Sequence, residues 1–555
     1  MHQSPAAALS AAFADAFLTL GLPVEWAVVQ QSKPGNGFDF QCAGALRAGD
    51  AALDTAHALI GIVSTAPGVA LAEVSGPGFV NVRLQADFLL GFEPVPAVDA
   101  PQNIVIDFGG PNIAKPLHVG HLRSLAIGES LRRILLAVGH HVVSDIHLGD
   151  WGLPMGQVID AWRRTHPESS TAGGDLATPV SIDELERIYP VAAAECAADA
   201  RRLAAAQETT ARLQAGDTAA MTVWGSMREV SIEAAKGLTD VMGAHFDLWL
   251  GESDVAPRVE ALVVRALQWN IAVESRGAIV VPVAIPEDGA RPMPPLILRK
   301  TDGSSTYATT DVATLEARME AGAERVIYVV DRRQTDHFVQ LTRAAERLGI
   351  ATANQVVHIG FGTVNGADGR PLRTRDGGVA RLDVLVAGAI AAARDRMTDA
   401  SEEDVVAVGV GALKFLDLSS PRGTGYVFDL ERALSFEGDT GPYVQYAAVR
   451  ISALLARAGG VAAGDPAAIG GAPAHELLLE CARFPEAVTA ALDECEPYRI
   501  AQQLLRIARA FSRFYAGAPI IGAADEENRL ALCRLVRQRL GTGLDLLGIA
   551  VPNRM

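Results

Sequence analysis

The densest chemistry in this 555-residue chain is the run Pro111-Asn112-Ile113-Ala114-Lys115-Pro116-Leu117-His118-Val119-Gly120-His121. It stands between a buried-strand signature, Asn103-Ile104-Val105-Ile106-Asp107-Phe108, and an amphipathic stretch at 120–137 that reads as a helix closed by Gly139. The turn between the first strand and first helix of an α/β sheet is where such folds place ligands. A helix N-terminus offers unpaired N–H groups and positive potential, which suits a phosphate. His118 and His121 can donate to phosphate oxygens from one helical face, and Gly120 lets a phosphate or an adenine ring approach the backbone. A metal is the competing reading, because His118, His121, His140, His141 and His147 are five of the twelve histidines. No acidic or Cys partner stands at ligand spacing around them, so phosphate chemistry is the better fit.

Lysine occurs only at 33, 115, 236, 300 and 414 in a chain with 48 basic residues. Where nearly every cation is Arg, some surviving lysines mark places that need a compact ammonium rather than a planar fork. Lys115 is the one inside the dense run.

Several elements must position that run. Residues 1–96 read as a small α/β unit, with a helix after Ser4, strands at 38–42 and 79–84, a helix at 50–65 and a linker at Pro94-Val95-Pro96. Residues 97–382 open with strand, helix and the strand His141–Ile146, a doubly wound α/β beginning. A polar, Ala-rich, helical insertion starts at about 164 and is taken to end at about 290. Strand patterns at 278–283, 296–298, 326–330 and 355–359 continue the unit. Residues 383–430 read as connecting helices, and 431–555 as a helical domain broken by a Gly/Ala-rich loop at 459–473.

The composition sets limits. A net charge of −17 excludes a blanket of positive charge, although not a local basic face. With 49% hydrophobic residues the chain can build large cores. No apolar run spans a membrane, the start lacks a signal peptide, and five scattered cysteines fit reduced thiols, so a cytoplasmic protein is expected. From Pro497 onward nine Arg face four acidic residues. Arg499, Arg506, Arg509 and Arg513 step by helical spacing with Phe511, Phe514 and Tyr515 interleaved, a candidate RNA face or a solvated one backed by core aromatics.

His118-Val119-Gly120-His121 resembles the HIGH signature of class I aminoacyl-tRNA synthetases. The surrounding run, with Leu148-Gly149-Asp150-Trp151-Gly152, Thr306–Asp311, Asp331–Gln334, Phe436–Tyr443 and the ending Asn553-Arg554-Met555, resembles arginyl-tRNA synthetases over nearly the whole chain. The resemblance implies a multidomain α/β protein: a Rossmann-type catalytic domain with a helical insertion, a small N-terminal α/β domain that binds the tRNA body, and an all-helical anticodon-binding domain. It implies arginine-tRNA ligase activity, with ATP, L-arginine and tRNA(Arg) as partners and Mg²⁺ held mainly by ATP phosphates. No membrane partner, no metal site and a monomer are expected. Asp107, Asn112, Tyr307, Asp311 and Gln334 match the family's arginine pocket. That fits physical logic, since a guanidinium is best held by carboxylates and neutral acceptors on fixed elements. His118, Gly120, His121, His358, Ile359 and Gly360 are expected at ATP, and Arg499, Arg506, Arg509 and Arg513 at tRNA.

The second class I signature, KMSKS, is altered. Its place is taken by Gly369–Gly378, where Arg373 and Arg375 supply the charge, and the resemblance implies that Lys115 compensates for the missing lysine. Pro154, where many relatives carry Gln, is a further departure. Two alternatives remain at this point: an arginine-activating paralogue with a non-tRNA acceptor, and a catalytically inactive RNA-binding protein.

Overall fold

The computed structural model describes residues 4–33, 35–167, 179–301, 303–372, 380–459 and 463–555. The chain divides into two compact units, Met1–Ala97 with Ala393–Ser419 and Glu431–Met555, and Val98–Ala392 with Ser420–Leu430. Residues 383–430 are thus shared between the two units.

The first unit pairs a small sheet with a helical bundle. Its strands run antiparallel in the order Val29–Gln31, Phe40–Cys42, Phe79–Leu84, Val69–Ser75. The helix Pro5–Thr19 starts where its residues dictate: Ser4 caps Ala7 N, and Pro5, lacking an N–H, occupies the first turn. The C-terminal part is built from Glu402–Leu418, Gly441–Arg457, Ala472–Ala482, Phe484–Asp493, Tyr498–Gly517 and Glu526–Leu546. Lys414, one of the five lysines, is buried here and its Nζ donates to Gly548 O at 2.6 Å. All five cysteines are buried, and none is in a disulfide.

The second unit carries the parallel sheet, ordered Val356–His358, Arg325–Val329, Asn103–Phe108, His141–Asp145. Register places Asp107 beside Asp145 on one side and Tyr328 on the other. The strands at 278–281 and 296–299 do not extend this sheet as the sequence suggested. They form a separate antiparallel sheet with Val273–Ser275. The reason is local: Arg276 and Gly277 both take positive φ, 53° and 81°, a two-residue turn that folds the chain straight back, whereas parallel pairing needs a long crossover. The insertion is helical over Ile182–Ala198, Ala200–Gln214 and Thr218–Val241.

The helix Val119–Ala137 packs on the sheet through Gly128, where an added Cβ would lie 2.3 Å from a Phe108 ring carbon. Gly128→Ala should therefore destabilise this unit by about 1–3 kcal/mol through overpacking. An unchanged urea midpoint for its unfolding transition would contradict that packing.

Candidate active site

The loop after the first parallel strand and the start of the next helix form one wall of a cleft of about 350 Å³. Asp107, Asn112, His118, Gly120, His121, Asp311 and Gln334 all line it. Seven of the residues expected from sequence therefore meet around one space.

The histidines are arranged differently from the expected helical face. His118 is not in the helix but caps it, with its Nδ1 accepting from Gly120 N at 3.0 Å. His121 reaches back, its Nδ1 accepting from His118 N at 2.8 Å, and the two rings lie 4.0 Å apart. Gly120 serves this ring first: a Cβ there would stand 2.8 Å from His118 Cε1. An Nδ1 that accepts must carry no proton, so each neutral ring keeps its proton on Nε2. Burial, then the His118 ring, lower His121 to about 3, and burial followed by Lys115 lowers His118. At neutral pH the pair is uncharged and offers two Nε2–H donors without taking up a proton.

Asp107 has a partner that the sequence did not reveal. Arg318, from the helix Tyr307–Glu320, bridges Asp107 Oδ2 and Asp145 Oδ2 at 2.6 Å each, all three buried. Burial, offset by Arg318 and reinforced by Asp145, raises the Asp107 pKa. Arg318 is thus shared by two adjacent carboxylates, of which Asp107 lines the cleft. Asp311 lies on the first turns of the same helix and accepts from His337 Nε2 at 2.7 Å. Glu252, at the N-terminus of Glu252–Gln268, carries no motif that singled it out. Burial first, and then Asp311, push it up to about 7. Two carboxylates close enough to repel make a place for a cation.

Leu148–Gly152, quoted above only for its resemblance, has a structural task. Ile113 N donates to Gly149 O and Gly149 N to Pro111 O, both at 3.1 Å, so this loop fixes the histidine loop. A Cβ on Gly149 would stand 2.1 Å from Asn112 Oδ1. Asp150, fully buried, accepts from Ser253 N, Ser253 Oγ and Arg228 Nε at 2.7–3.0 Å.

Other expected residues stand elsewhere. Tyr307 shares the Asp311 helix but is 62% exposed, its ring 4.9 Å from His337, and it does not line the cleft. His358 stacks on Phe338 at 4.5 Å and its Nε2 meets Val330 O at 3.1 Å, a backbone bond rather than a free edge. Ile359 is buried, and Gly360 O accepts from Arg422 at 2.8 Å; none of these three lines the cleft. The Lys115 ammonium does not fold over the cleft, but sits 4.4 Å above the Tyr189 ring. Arg373 and Arg375 lie outside the described residues. Arg333, unmarked as a site residue, lines the cleft while held by Asp331 at 2.7 Å.

On the helix Tyr498–Gly517 the four arginines are exposed, as one face requires. Arg499 pairs with Glu494, Arg509 with Asp439 and Arg513 with Glu476, while Phe511 and Phe514 are buried. Such exposed pairs contribute roughly 0–1 kcal/mol, too little to prevent a phosphate from taking the guanidinium.

Comparison with known proteins sets the class and then the family. A family model described as tRNA synthetases class I (R), catalytic domain, matches residues 89–430, and one described as the DALR anticodon binding domain matches 444–555. The histidine-capped helix on a parallel sheet is accordingly the catalytic unit of a class I tRNA synthetase. Arginine–tRNA ligases of Hyphomonas neptunium and Maricaulis maris are 43% and 41% identical to this chain, over 99% of both chains in each case. The solved arginyl-tRNA synthetase of Thermus thermophilus is 26% identical with a TM-score of 0.82, over 99% of this chain and 100% of its own. That of Plasmodium falciparum, at 21% identity, TM-score 0.82 and full coverage of both chains, shares the fold. The chain belongs to the arginine–tRNA ligase family. Among the described residues no helix is long and apolar enough to cross a membrane, and no group of three or more His, Cys, Asp or Glu is placed to hold a metal.

Proposed function

We propose that this chain joins L-arginine to tRNA(Arg) at the expense of ATP. The observation that carries the reading is a single cleft lined both by two neutral imidazole donors at a helix start and by the carboxylates of Asp107 and Asp311. In the first step the arginine carboxylate attacks the α-phosphorus of ATP and pyrophosphate leaves. His118 and His121 donate from Nε2 to phosphate oxygens, and the helix N-terminus adds its positive end. Asp311 and Glu252 take the guanidinium, with Asn112 and Gln334 orienting the substrate. In the second step the 2′-hydroxyl of the terminal adenosine attacks the adenylate carbonyl and AMP leaves. A Mg²⁺ carried by the ATP phosphates would neutralise part of their charge. Alignment and fixed donors supply most of the catalysis. The test is aminoacylation of tRNA with arginine, lysine and citrulline offered separately; charging with lysine or citrulline at the arginine rate would contradict the pocket.

Two outcomes follow. Below pH 7 Glu252 holds a proton, and a bound guanidinium favours its release. Arginine affinity should thus rise as pH climbs towards 7, by up to about tenfold per unit for one released proton, and level off above it. Calorimetric titration between pH 5.5 and 8 reads this, and Glu252→Gln should flatten the slope. At the other site, replacing Arg506, Arg509 and Arg513 by Gln should weaken tRNA and spare ATP. Each lost phosphate contact lowers the log–log salt slope by about 0.7–0.9. An unaltered slope in filter binding would return these arginines to a solvated face.

A further inference from the structure

Behind the 111–117 loop lies a second cavity of about 290 Å³, whose walls include Lys115, Asp183, Glu186, Ser231, Arg381 and Asp383. Its geometry ties the insertion to the histidines. Ile113 and Ala114 are buried in the insertion's own apolar core, with Leu185, Leu213 and Met227. Ala114 takes φ 64°, a left-handed conformation unfavourable for a residue with a Cβ, while its N–H donates to Ser231 Oγ at 3.1 Å. Glu186 and Tyr189 stand three apart on the helix Ile182–Ala198, hence on one face. Tyr189 holds the Lys115 ammonium, and Glu186 holds Arg381 Nη1. Arg381 is also clamped by Asp383, Nε to Oδ1 at 3.0 Å and Nη2 to Oδ2 at 2.5 Å.

The position of Arg381 gives that pair its consequence. Its backbone forms an antiparallel bridge with His118. Val119 N donates to Ala380 O at 2.8 Å and Leu382 N to Leu117 O at 2.9 Å, one bond on either side of His118. The helix cap that aims the His118 ring is therefore attached to a single bridge at Arg381, just before the helix Leu382–Arg394, and the Arg381 side chain is held by the insertion.

We propose that Glu186 is a positioning residue for the activation step, acting through Arg381 to fix where His118 starts the helix. Glu186 touches no reactant; it sets the angle of one Nε2–H donor. The proposal rests on the functional reading above, and its tests can fail separately. In Glu186→Gln the bridge at Arg381 loses a charged anchor, so the cap and its ring shift. An error of about 1 Å in a reacting geometry costs up to about 100-fold in rate, so a fall of about 10- to 100-fold is expected. Arginine affinity, whose charge partners Asp311 and Glu252 do not line this cavity, should stay within about twofold, because distant sites act nearly independently.

The experiment compares wild type, Glu186→Gln, Glu186→Arg, Arg381→Glu and the double Glu186→Arg, Arg381→Glu in arginine-dependent pyrophosphate exchange with tRNA present, with thermal unfolding recorded for each. The exchanged pair restores an ion pair across the same gap, with the guanidinium now on the insertion helix and facing both the introduced carboxylate and Asp383. The double variant should exceed the product of the single losses by about fivefold or more. Recovery of rate with unchanged arginine affinity supports the proposal. A wild-type rate in Glu186→Gln, strictly multiplicative losses, or a loss seen only in arginine affinity overturns it. Titration with a non-hydrolysable ATP analogue needs neither arginine nor tRNA. If the wild type failed to exchange with arginine and tRNA both present, the functional reading would fall. Analogue binding would then decide the positioning role, weakened binding in Glu186→Gln supporting it and equal binding overturning it.

Discussion

Replacing His121 by alanine should slow adenylate formation about 100- to 1,000-fold, the roughly 2.7–4 kcal/mol of one donor aimed at developing charge. The ring contributes twice, since its Nδ1 caps His118 N while its Nε2–H faces the cleft. His121→Asn separates the two contributions, because an amide oxygen can still cap the helix while the ring donor is lost. Folding should be recovered in the asparagine variant and the rate should not. With His121 held near 3 and His118 also lowered, neither ring titrates at neutral pH. At saturating arginine the activation rate should show no inflection between pH 7 and 8 arising from these imidazoles. Single-turnover measurement with tRNA present reads both quantities. An unchanged rate in folded His121→Ala would remove the histidine from the reaction.

Asp311→Asn should damage selectivity as well as affinity. His337 Nε2 lies 2.7 Å from Asp311 Oδ2 and would claim the amide oxygen, turning the NH₂ group towards the guanidinium. A donor then faces donors, and the charge is lost while Glu252 remains beside it. Truncating one member of a buried charged pair costs about 2–5 kcal/mol, or roughly 30- to 4,000-fold in arginine affinity. Citrulline, neutral and carrying an acceptor oxygen, should lose far less. The arginine-to-citrulline ratio should therefore fall, and a wild-type ratio would exclude direct contact by Asp311.

The local parts of this site were legible in the sequence because local rules govern them. The strand Asn103–Phe108 ends where its apolar run ends, and the helix begins at Val119, one residue from its expected start. What escaped the sequence depends on residues far apart in the chain. Arg318 reaches Asp107 across 211 positions, and Glu252 gains its meaning only beside Asp311. Nothing in the spacing of Glu252 distinguishes it from a helix-start carboxylate. The histidines show the same limit within four residues. Periodicity placed both on one face, but it could not show that His118 leaves the helix to cap it. His358, expected at ATP, is instead engaged by ring stacking and a backbone carbonyl.

The most direct measurement follows labelled arginine, AMP and pyrophosphate together in one reaction of the purified chain with ATP and tRNA. AMP and pyrophosphate should appear only when arginine is present, and one arginine should reach the tRNA 3′ end for each AMP released. A tRNA ending in 2′-deoxyadenosine should accept none. AMP formed while arginine stays off the tRNA, or no arginine-dependent AMP at all, would contradict it.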